Sequence, residues 1–305
     1  MGKVFNLFLL IFIGSAIYSY LTLPKISQID TCFKTSMYQV DLCPKSSNYV
    51  RLSQISPNIR NAIIISEDVS FYNHNGFDTH ELKNSLAKNI KKMSFARGGS
   101  TITQQLAKNL FLTSEKTLTR KLKEFILTYK IEKKYSKDVI LERYLNVIEF
   151  GKGIYGVKAA SEYYFQKPPS MISPLEAAFL AFLLPNPGKY SVSFKNKELT
   201  PFARGRIQDI LFKMNHYKKI QPDEFVAARS QLQVMFKTIP EMEGESEDLE
   251  YYSDSMESTY DMTSIHKAQE DSINRLESLE DNATDSTETI YPDEIPESDV
   301  YDLQQ

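Results

Sequence analysis

Residues 97–112 read RGGSTITQQLAKNLFL, a stretch that joins a glycine pair and a polar run to an apolar helical pattern containing one lysine. The glycines, Gly98 and Gly99, allow tight approach of the backbone to a ligand. The hydrogen-bonding side chains that follow are Ser100, Thr101, Thr103, Gln104 and Gln105. Such a surface suits a sugar or a pyrophosphate. The stretch is not a Walker loop, because the glycine spacing and the Lys-Ser/Thr ending are missing.

A simpler interpretation of the same stretch is a polar loop that caps a helix beginning at about residue 103. Capping explains the hydroxyls, because Ser and Thr side chains accept hydrogen bonds from the free N–H groups of a helix N-terminus. It does not explain two adjacent glutamines. Both interpretations stay open on this stretch alone.

The charge of the 305-residue chain is divided unevenly around this stretch. Residues 241–305 hold 21 Asp/Glu against 2 Lys/Arg, a net charge of −19, so the rest of the chain carries +16. A basic body suits an anionic partner such as nucleic acid, lipid headgroups or a phosphorylated substrate. The acidic segment has few aliphatic residues to bury, and we expect it to be a disordered tail.

The N-terminus narrows the choice of partner toward a membrane. Residues 4–23 carry no charge, and at about 1.5 Å per residue a helix of this length spans the roughly 30 Å hydrocarbon core of a bilayer. A retained anchor is favoured over a cleaved signal peptide, whose apolar region is usually shorter and is followed by an A-x-A site. The only cysteines, Cys32 and Cys43, follow the anchor. They either form a disulfide in an exported domain or remain two free thiols.

Helical periods dominate the body. Apolar residues recur at positions 82, 86 and 90, at 118, 122, 125, 126 and 129, and at 140, 141, 144 and 145. Ser136 is the expected N-cap of the last of these helices, and Ser173 with Glu176 forms a capping box for a helix that stops before Pro185. Two further helices are predicted from Thr200 and from residue 222 to about 236. Residues 43–60 are polar and mixed, typical of a stalk or a short edge strand, and no strand alternation is convincing, so the body is predicted to be mainly α.

Two other clusters contain candidate functional side chains. In residues 66–78, SEDVSFYNHNGFD, a carboxylate follows the apolar run 63–65, where partial burial would raise its pKa toward that of a useful general base. The alternative is an acidic helix end followed by a glycine turn, and His74 with His80 fits no standard metal-ligand spacing. In residues 120–124, RKLKE, Arg120 and Lys121 share a helix face with Glu124. An ordinary surface ion pair is the alternative there.

The order of these clusters carries a resemblance. EDVSFYNHNGFD at 67–78, RGGSTITQQLAKN at 97–109, RKLKE at 120–124 and SKDVILERYLNVIEFGKGIYGVKAASEYYF at 136–165 together resemble glycosyltransferase family 51, the peptidoglycan glycosyltransferases. The resemblance implies a lysozyme-like, two-lobed, mainly helical domain. It also implies polymerisation of membrane-bound lipid II into β-1,4-linked glycan strands, with inversion and release of undecaprenyl pyrophosphate.

Site residues follow from the resemblance position by position. Glu67 is implied as the general base and Glu124 as the second essential carboxylate. The implied pyrophosphate ligands are Lys108, Arg120 and Lys121, and the implied donor-site residues are Ser100, Gln104 and Asn109. A lysozyme-like muralytic hydrolase is the main alternative, because it also uses two carboxylates. Three cations argue against it, since a departing pyrophosphate needs charge neutralisation and a departing sugar needs a proton.

The predicted organisation is an anchor over residues 1–24, a stalk over 25–49, the glycosyltransferase domain over 50–240 and a disordered acidic tail over 241–305. The sequence contains no K-T-G, so a monofunctional transglycosylase without a transpeptidase domain is expected. Single-pass insertion in the bacterial inner (plasma) membrane would place the body on the periplasmic face. The expected partners are lipid II, the growing glycan strand, the membrane and proteins of cell-wall synthesis or division, with no nucleic acid. No cofactor is expected to be required, with room for a divalent cation, Mg²⁺ or Mn²⁺, at the pyrophosphate.

Overall fold

The computed structural model describes residues 20–79 and 99–238, together with Asn6, Gly14 and Tyr18. Most of the predicted anchor, the apolar positions 82, 86 and 90 and the acidic tail over 241–305 lie outside the described residues. Within the described part of the chain, no helix is both long enough and apolar enough to cross a membrane.

Helices form most of the described chain, and the prediction of a mainly helical body is confirmed. The α-helices are α1 Pro57–Glu67, α2 Ile102–Phe111, α3 Leu118–Lys134, α4 Lys137–Val147, α5 Val157–Phe165, α6 Pro174–Leu183, α7 Pro187–Asn196, α8 Pro201–His216 and α9 Pro222–Met235. Short 3-10 helices cover Ile26–Asp30, Leu52–Gln54 and Pro169–Met171. The strands are β1 Phe33–Lys34, β2 Asp41–Leu42, β3 Glu149–Gly151, β4 Ile154–Tyr155, β5 Glu198–Leu199 and β6 Lys237–Thr238. They pair as β1–β2 and β3–β4 antiparallel and β5–β6 parallel, and strands this short give no alternation to detect.

Local capping signals place several helix ends where the sequence predicts them. The Ser136 side chain accepts from the N–H of Val139 at the start of α4. Ser173 and Glu176 form the predicted capping box of α6, which ends at Leu183. The helix predicted from Thr200 is α8, whose N-cap is Thr200. These predictions are confirmed because a cap depends on neighbours within three or four positions.

The interpretation of residues 43–60 as a stalk or edge strand is wrong for its second half. Residues 52–54 form a 3-10 helix, and the Ser56 side chain accepts from the N–H of Asn58 to begin α1 with Pro57 in its first turn. The apolar run 63–65 belongs to this helix, although three successive isoleucines have high strand propensity. Tertiary packing decides the structure here, because α1 packs against α6 and α8.

Two groups of packed helices surround the core. In the first group, α6 packs against α1, α8 and α9. Every residue of α6 from 175 to 183 is buried, as expected for a helix that is apolar all round. In the second group, α2 packs against α3 and α4. The candidate site lies where the end of α1 meets the beginning of α2.

A disulfide between Cys32 and Cys43 closes the β1–β2 hairpin, which resolves the two alternatives for these cysteines. The hairpin caps the C-terminal end of α2. The backbone N–H groups of Ser36 and Met37 donate to the carbonyls of Leu110 and Asn109 at 2.9 and 3.2 Å. These bonds satisfy carbonyl groups that a helix C-terminus leaves without intrahelical partners. One end of α2 is therefore fixed by a cross-linked element.

Candidate active site

A buried aspartate joins the end of α1 to the beginning of α2. Asp68 is the C-cap of α1, and its Oδ2 accepts from the backbone N–H of Ile102 at 2.9 Å. Its Oδ1 lies 2.7 Å from Nε2 of His74, whose Nδ1 accepts from the N–H of Gly76 at 3.1 Å. This network assigns the proton of a neutral His74 to Nε2, which donates to Asp68. A carboxylate at a helix N-terminus is also stabilised by the helix dipole. The link fixes where α2 begins relative to the last turn of α1.

Glu67 is the last residue of α1 and is half-buried. Its Oε2 accepts a hydrogen bond from Nε2 of Gln105 at 2.8 Å. Burial raises the pKa of Glu67, and the Gln105 hydrogen bond and the charges of Arg206 and Lys108 oppose the rise without cancelling it. A carboxylate with a raised pKa in a partly exposed position can act as a general base. The acidic residue expected at the end of the apolar run therefore lies in the environment that its predicted role needs.

The first turn of α2 accounts for one glutamine of the pair. The Thr101 side chain accepts from the N–H of Gln104, and the Gln104 side chain accepts from the N–H of Thr101 at 3.0 Å, which forms a capping box. The helix begins at Ile102, close to the start expected from a capping loop. Gln105 lies one position further round the helix and contacts Glu67 instead. Capping and a site contact therefore both occur, on adjacent residues.

Glu124 is not part of an ordinary surface ion pair. Its side chain is only 3% exposed, although it carries a carboxylate. Nη1 of Arg120 donates to Oε2 at 3.0 Å, and Nζ of Lys121 donates to Oε1. Both cations come from the same face of α3, one turn before Glu124. Because each carboxylate oxygen has its own cationic donor, Glu124 fixes the positions of two positive charges.

These side chains surround a cavity of about 170 Å³ between α2 and α3. Its lining residues are Ser100, Gln104, Gln105, Lys108, Arg120, Lys121 and Glu124. Lys108 differs from the other two cations, because no described residue forms a hydrogen bond or ion pair with its ammonium group. Burial lowers the pKa of Lys108, and the charges of Arg120 and Lys121 lower it further, against the opposing effect of Glu124. A half-buried lysine whose ammonium group has no ion-pair partner among the described residues is suited to bind an anion.

The structure brings together most of the site residues that the sequence predicts. Ser100, Gln104, Lys108, Arg120, Lys121 and Glu124 line the cavity, and Glu67 contacts it through Gln105. Their roles stay predictions.

Asn109 is placed differently. Asn109 is buried and does not line the cavity, and its backbone carbonyl accepts a hydrogen bond from the N–H of Met37. Its side-chain oxygen has no hydrogen-bond partner among the described residues. Its predicted contact with the donor sugar stays a prediction.

No catalytic or binding role was predicted from the sequence for Gln105, Tyr144 or Asp68, although Gln105 and Asp68 lie in two of the clusters with candidate functional side chains. The Tyr144 hydroxyl donates to Oε1 of Gln105 at 2.9 Å, which extends the Glu67–Gln105 contact into the core. Tyr144 is 39 positions from Gln105, so only the fold brings them together. The available sequence signal was the second glutamine, which capping alone left unexplained.

The side chains of the cavity fit a divalent cation poorly. Among the described residues, no group of three or more His, Cys, Asp or Glu side chains is close enough to hold a metal ion. The cavity's carboxylate, Glu124, already has a cationic donor on each oxygen. Three lysine and arginine cations around the same volume oppose a further positive ion unless an anionic ligand enters with it.

A candidate base thus adjoins a cavity with three cations, an arrangement that suits a reaction with an anionic leaving group. Comparison with known proteins assigns the family. The transglycosylase family model matches residues 35–215, more than half of the chain. The chain therefore belongs to the transglycosylase family.

Relatives with the name biosynthetic peptidoglycan transglycosylase support this assignment. The protein of Nitrosomonas eutropha is 46% identical over 156 residues, which cover 51% of this chain and 64% of that protein. The protein of Chromobacterium violaceum is 49% identical over 142 residues, covering 47% and 62%. The protein of Acinetobacter baumannii is 38% identical over 202 residues, covering 63% and 88%. The chain thus spans a little under two thirds of the first two relatives.

Proposed function

We propose that this chain is a peptidoglycan glycosyltransferase that polymerises lipid II into β-1,4-linked glycan strands for the bacterial cell wall. The observation that carries the proposal is Lys108, a half-buried cation with no ion-pair partner among the described residues, beside Arg120 and Lys121, which are both paired with Glu124. These cations face a cavity next to a carboxylate whose pKa is raised. The names of the relatives support the same substrate class.

The proposed reaction is a single displacement with inversion. Glu67 takes the proton of the 4-hydroxyl of the acceptor sugar while that oxygen forms a bond to the anomeric carbon of the donor. The bond between that carbon and the pyrophosphate oxygen breaks, and its electron pair leaves with undecaprenyl pyrophosphate. Lys108, Arg120 and Lys121 stabilise the negative charge that develops there. The proton remains on Glu67 until water removes it.

Glu124 supports this step by orientation. Both of its oxygens are occupied by Arg120 and Lys121, so its contacts favour placing those two cations over donating a proton to the leaving group. Loss of Glu124 would leave two adjacent positive charges without their common anchor. We therefore infer that Glu124 is essential through Arg120 and Lys121.

The lysozyme-like, two-lobed architecture is part of the same proposal. Its support is the division of the helices into one group around α6 and another around α2. The candidate site lies at the α1–α2 junction, where elements of both groups meet. A cleft between two helical groups would accommodate a long glycan strand.

We further propose a single membrane anchor over residues 1–24, with the catalytic domain on the outer face of the inner membrane. The uncharged run 4–23 and the disulfide of Cys32 with Cys43 support export, because structural disulfides persist in oxidising compartments. The end of the run lies beside α3, since the ammonium groups of Lys123 and Lys130 lie 5.7 and 4.4 Å from the ring centroids of Tyr18 and Tyr20. Protease added to intact spheroplasts should digest the catalytic domain. Complete protection would contradict this topology.

No metal ion is proposed as a requirement, because cations of the chain already occupy the positions that would neutralise the leaving group. Polymerisation should persist in excess EDTA after exhaustive dialysis. An absolute requirement for Mg²⁺ or Mn²⁺ would contradict this expectation.

The decisive experiment incubates the purified full chain with labelled lipid II and separates the products by size. Polymer from the wild type, and a loss of about 100-fold or more in Glu67→Gln, would support the proposal. The amide keeps the size of the side chain but cannot accept the proton. Polymeric glycan serves as the control substrate, since release of fragments from it would indicate a hydrolase. Failure of the wild-type chain to polymerise lipid II would refute the proposed function.

A further inference from the structure

The side-chain amide of Gln105 forms two hydrogen bonds, one as a donor and one as an acceptor. Its Nε2 donates to Oε2 of Glu67 at 2.8 Å, and its Oε1 accepts from the hydroxyl of Tyr144 at 2.9 Å. The three side chains come from three helices, α1, α2 and α4. A single amide therefore connects the candidate base to the protein core.

The chemistry of the three groups fixes the orientation of this amide. An ionised carboxylate only accepts hydrogen bonds, so the NH₂ of Gln105 must face Glu67. The amide oxygen then faces Tyr144, which must donate. Tyr144 is fully buried, and burial together with the charge of Glu67 raises its pKa well above the ordinary value. The phenol therefore remains a donor wherever Glu67 is ionised.

The contact occupies one oxygen of the carboxylate and leaves the other available. No described residue donates a hydrogen bond to Oε1 of Glu67. The charged groups that face Glu67 are Asp68 beside it, Lys108 on α2 and Arg206 on α8, and the neutral Tyr144 phenol on α4 is a further titratable group. None of them replaces the amide as a donor to Oε2.

On the basis of the proposed function, we propose that Gln105 and Tyr144 are positioning residues for Glu67. Tyr144 selects the orientation of the Gln105 amide, and the amide holds one carboxylate oxygen so that the other faces the acceptor hydroxyl. Neither residue exchanges a proton with the substrate. Gln104, although adjacent and also in the cavity, cannot take this role because its side chain closes the capping box. Gln104 therefore caps the helix and Gln105 contacts Glu67, which explains why two glutamines stand side by side.

The inference predicts a change in pH profile as well as in rate. A hydrogen bond to a charged group stabilises that group more than a bond between neutral groups does, so the Gln105 amide favours the ionised form of Glu67. Its loss in Gln105→Ala should raise the pKa that governs the acid limb of kcat/KM by about 1–2 pH units. We expect kcat to fall by about 10- to 100-fold, with KM within about threefold, because the misplaced base acts in the transition state. Tyr144→Phe keeps the ring and Gln105 but frees the amide to rotate. It should shift the acid limb in the same direction by a smaller amount.

Tyr164→Phe is the matched control. The Tyr164 hydroxyl is a buried donor that bonds the carbonyl of Phe150 at 2.9 Å, and Tyr164 does not line the cavity. This variant should lose comparable stability in thermal unfolding and keep the wild-type pH profile. A merely structural role for Tyr144 would make the two Tyr→Phe variants behave alike.

The experiment measures polymerisation of lipid II by the full chain between pH 5 and 9 for wild type, Gln105→Ala, Tyr144→Phe and Tyr164→Phe. An upward shift of the acid limb in the first two variants alone supports the inference. An acid limb within about 0.3 pH units of wild type in a folded Gln105→Ala, or in Tyr144→Phe should Gln105→Ala not fold, would overturn it. An inactive wild type would instead refute the proposed function.

Discussion

Replacement of Lys108 by methionine tests the electrostatic core of the proposed mechanism. Methionine keeps most of the length of the side chain and removes its charge. Lys108 is half-buried, has no ion-pair partner among the described residues and lines the 170 Å³ cavity with Arg120 and Lys121. The other two cations have Glu124 as a partner, so the charge of Lys108 is the least compensated of the three.

The size of the effect follows from the position of this charge. A unit charge about 4 Å from a phosphate oxygen contributes about 1 kcal/mol in water and about 4 kcal/mol at an effective dielectric constant of about 20. The half-buried position of Lys108 lies between these limits, and we expect a loss of about 2–4 kcal/mol. This corresponds to a fall in kcat/KM of about 30- to 1,000-fold. Part of this loss should appear in KM and part in kcat, because in the proposed mechanism the charge of Lys108 stabilises the pyrophosphate both in the bound substrate and as it departs.

The basic limb of the pH profile gives a second measurement on the same residue. Because burial and two neighbouring cations lower the pKa of Lys108, its charge is lost as pH rises through a value below the ordinary lysine range of about 10.4. The kcat/KM profile reports the free enzyme, so its basic limb should lie below that range. Lys108→Arg stays charged throughout and should move the limb upward.

Lys158→Met is the matched control, because it removes the same charge from α5 at a position outside the cavity. It should keep kcat/KM within about twofold of wild type at fixed ionic strength. A folded Lys108→Met with kcat/KM within about threefold of wild type, alongside an inactive Glu67→Gln, would refute the electrostatic reasoning and keep the base assignment.

Three further changes test other parts of the structure. Since Glu67 must be ionised to accept a proton and burial raises its pKa, kcat/KM measured in steady-state assays should begin to fall, as the pH is lowered, at a pH above the ordinary carboxyl value of about 4.3. The same burial disfavours the charged form, so Glu67→Gln should raise the melting temperature at pH 7; this gain should shrink as pH falls through the raised pKa of Glu67 and vanish below the unfolded-state value of about 4.3. Cys43→Ser should lower the free energy of unfolding by about 3 kcal/mol relative to the disulfide-bonded wild type, the chain-entropy value for a loop of about a dozen residues. Urea titration measures the loss, and reduced wild type, which should match the variant, is the control; a variant as stable as the disulfide-bonded wild type would show that the loop is held by packing alone. Gly156→Ala should cost at least about 2 kcal/mol, because Gly156 has a φ of +79° and an added Cβ would lie 2.6 Å from the carbonyl oxygen of Asn146; an unchanged melting temperature would contradict this.

Helix boundaries were predictable from the sequence wherever a local capping signal marks them. Ser136, Ser173 and Thr200 act within three residues of themselves, so no knowledge of the fold was needed. The apolar stripe of α3 shows the limit of periodicity. It predicts the helix correctly, yet Leu118, Phe125 and Tyr129 are exposed, because a period reports an apolar face and not what covers that face.

In the candidate site, too, the local contacts were predictable from the sequence and the long-range contacts were not. RKLKE is a local motif, and its pairing of Arg120 and Lys121 with Glu124 follows from helical spacing. The burial of Glu124 does not, and neither does the bond of Asp68 to Ile102, which are 34 positions apart. Charge and hydrogen bonding across such separations arise only when tertiary packing brings the helices together.

The position of α2 relative to Glu67 depends on both of its ends. Asp68 binds the first N–H of the helix, and the disulfide-closed hairpin binds its last carbonyls through Ser36 and Met37. A helix held at one end can still pivot, whereas one held at both ends has a fixed axis. Gln105, which donates to the proposed base, and Lys108, a proposed ligand of the leaving group, both lie on this helix, so any pivot would move them together relative to Glu67. Because misplacement of about 1 Å can cost about 100-fold in rate, we expect the distant hairpin to contribute to the proposed reaction by restraining the helix and not by touching the substrate.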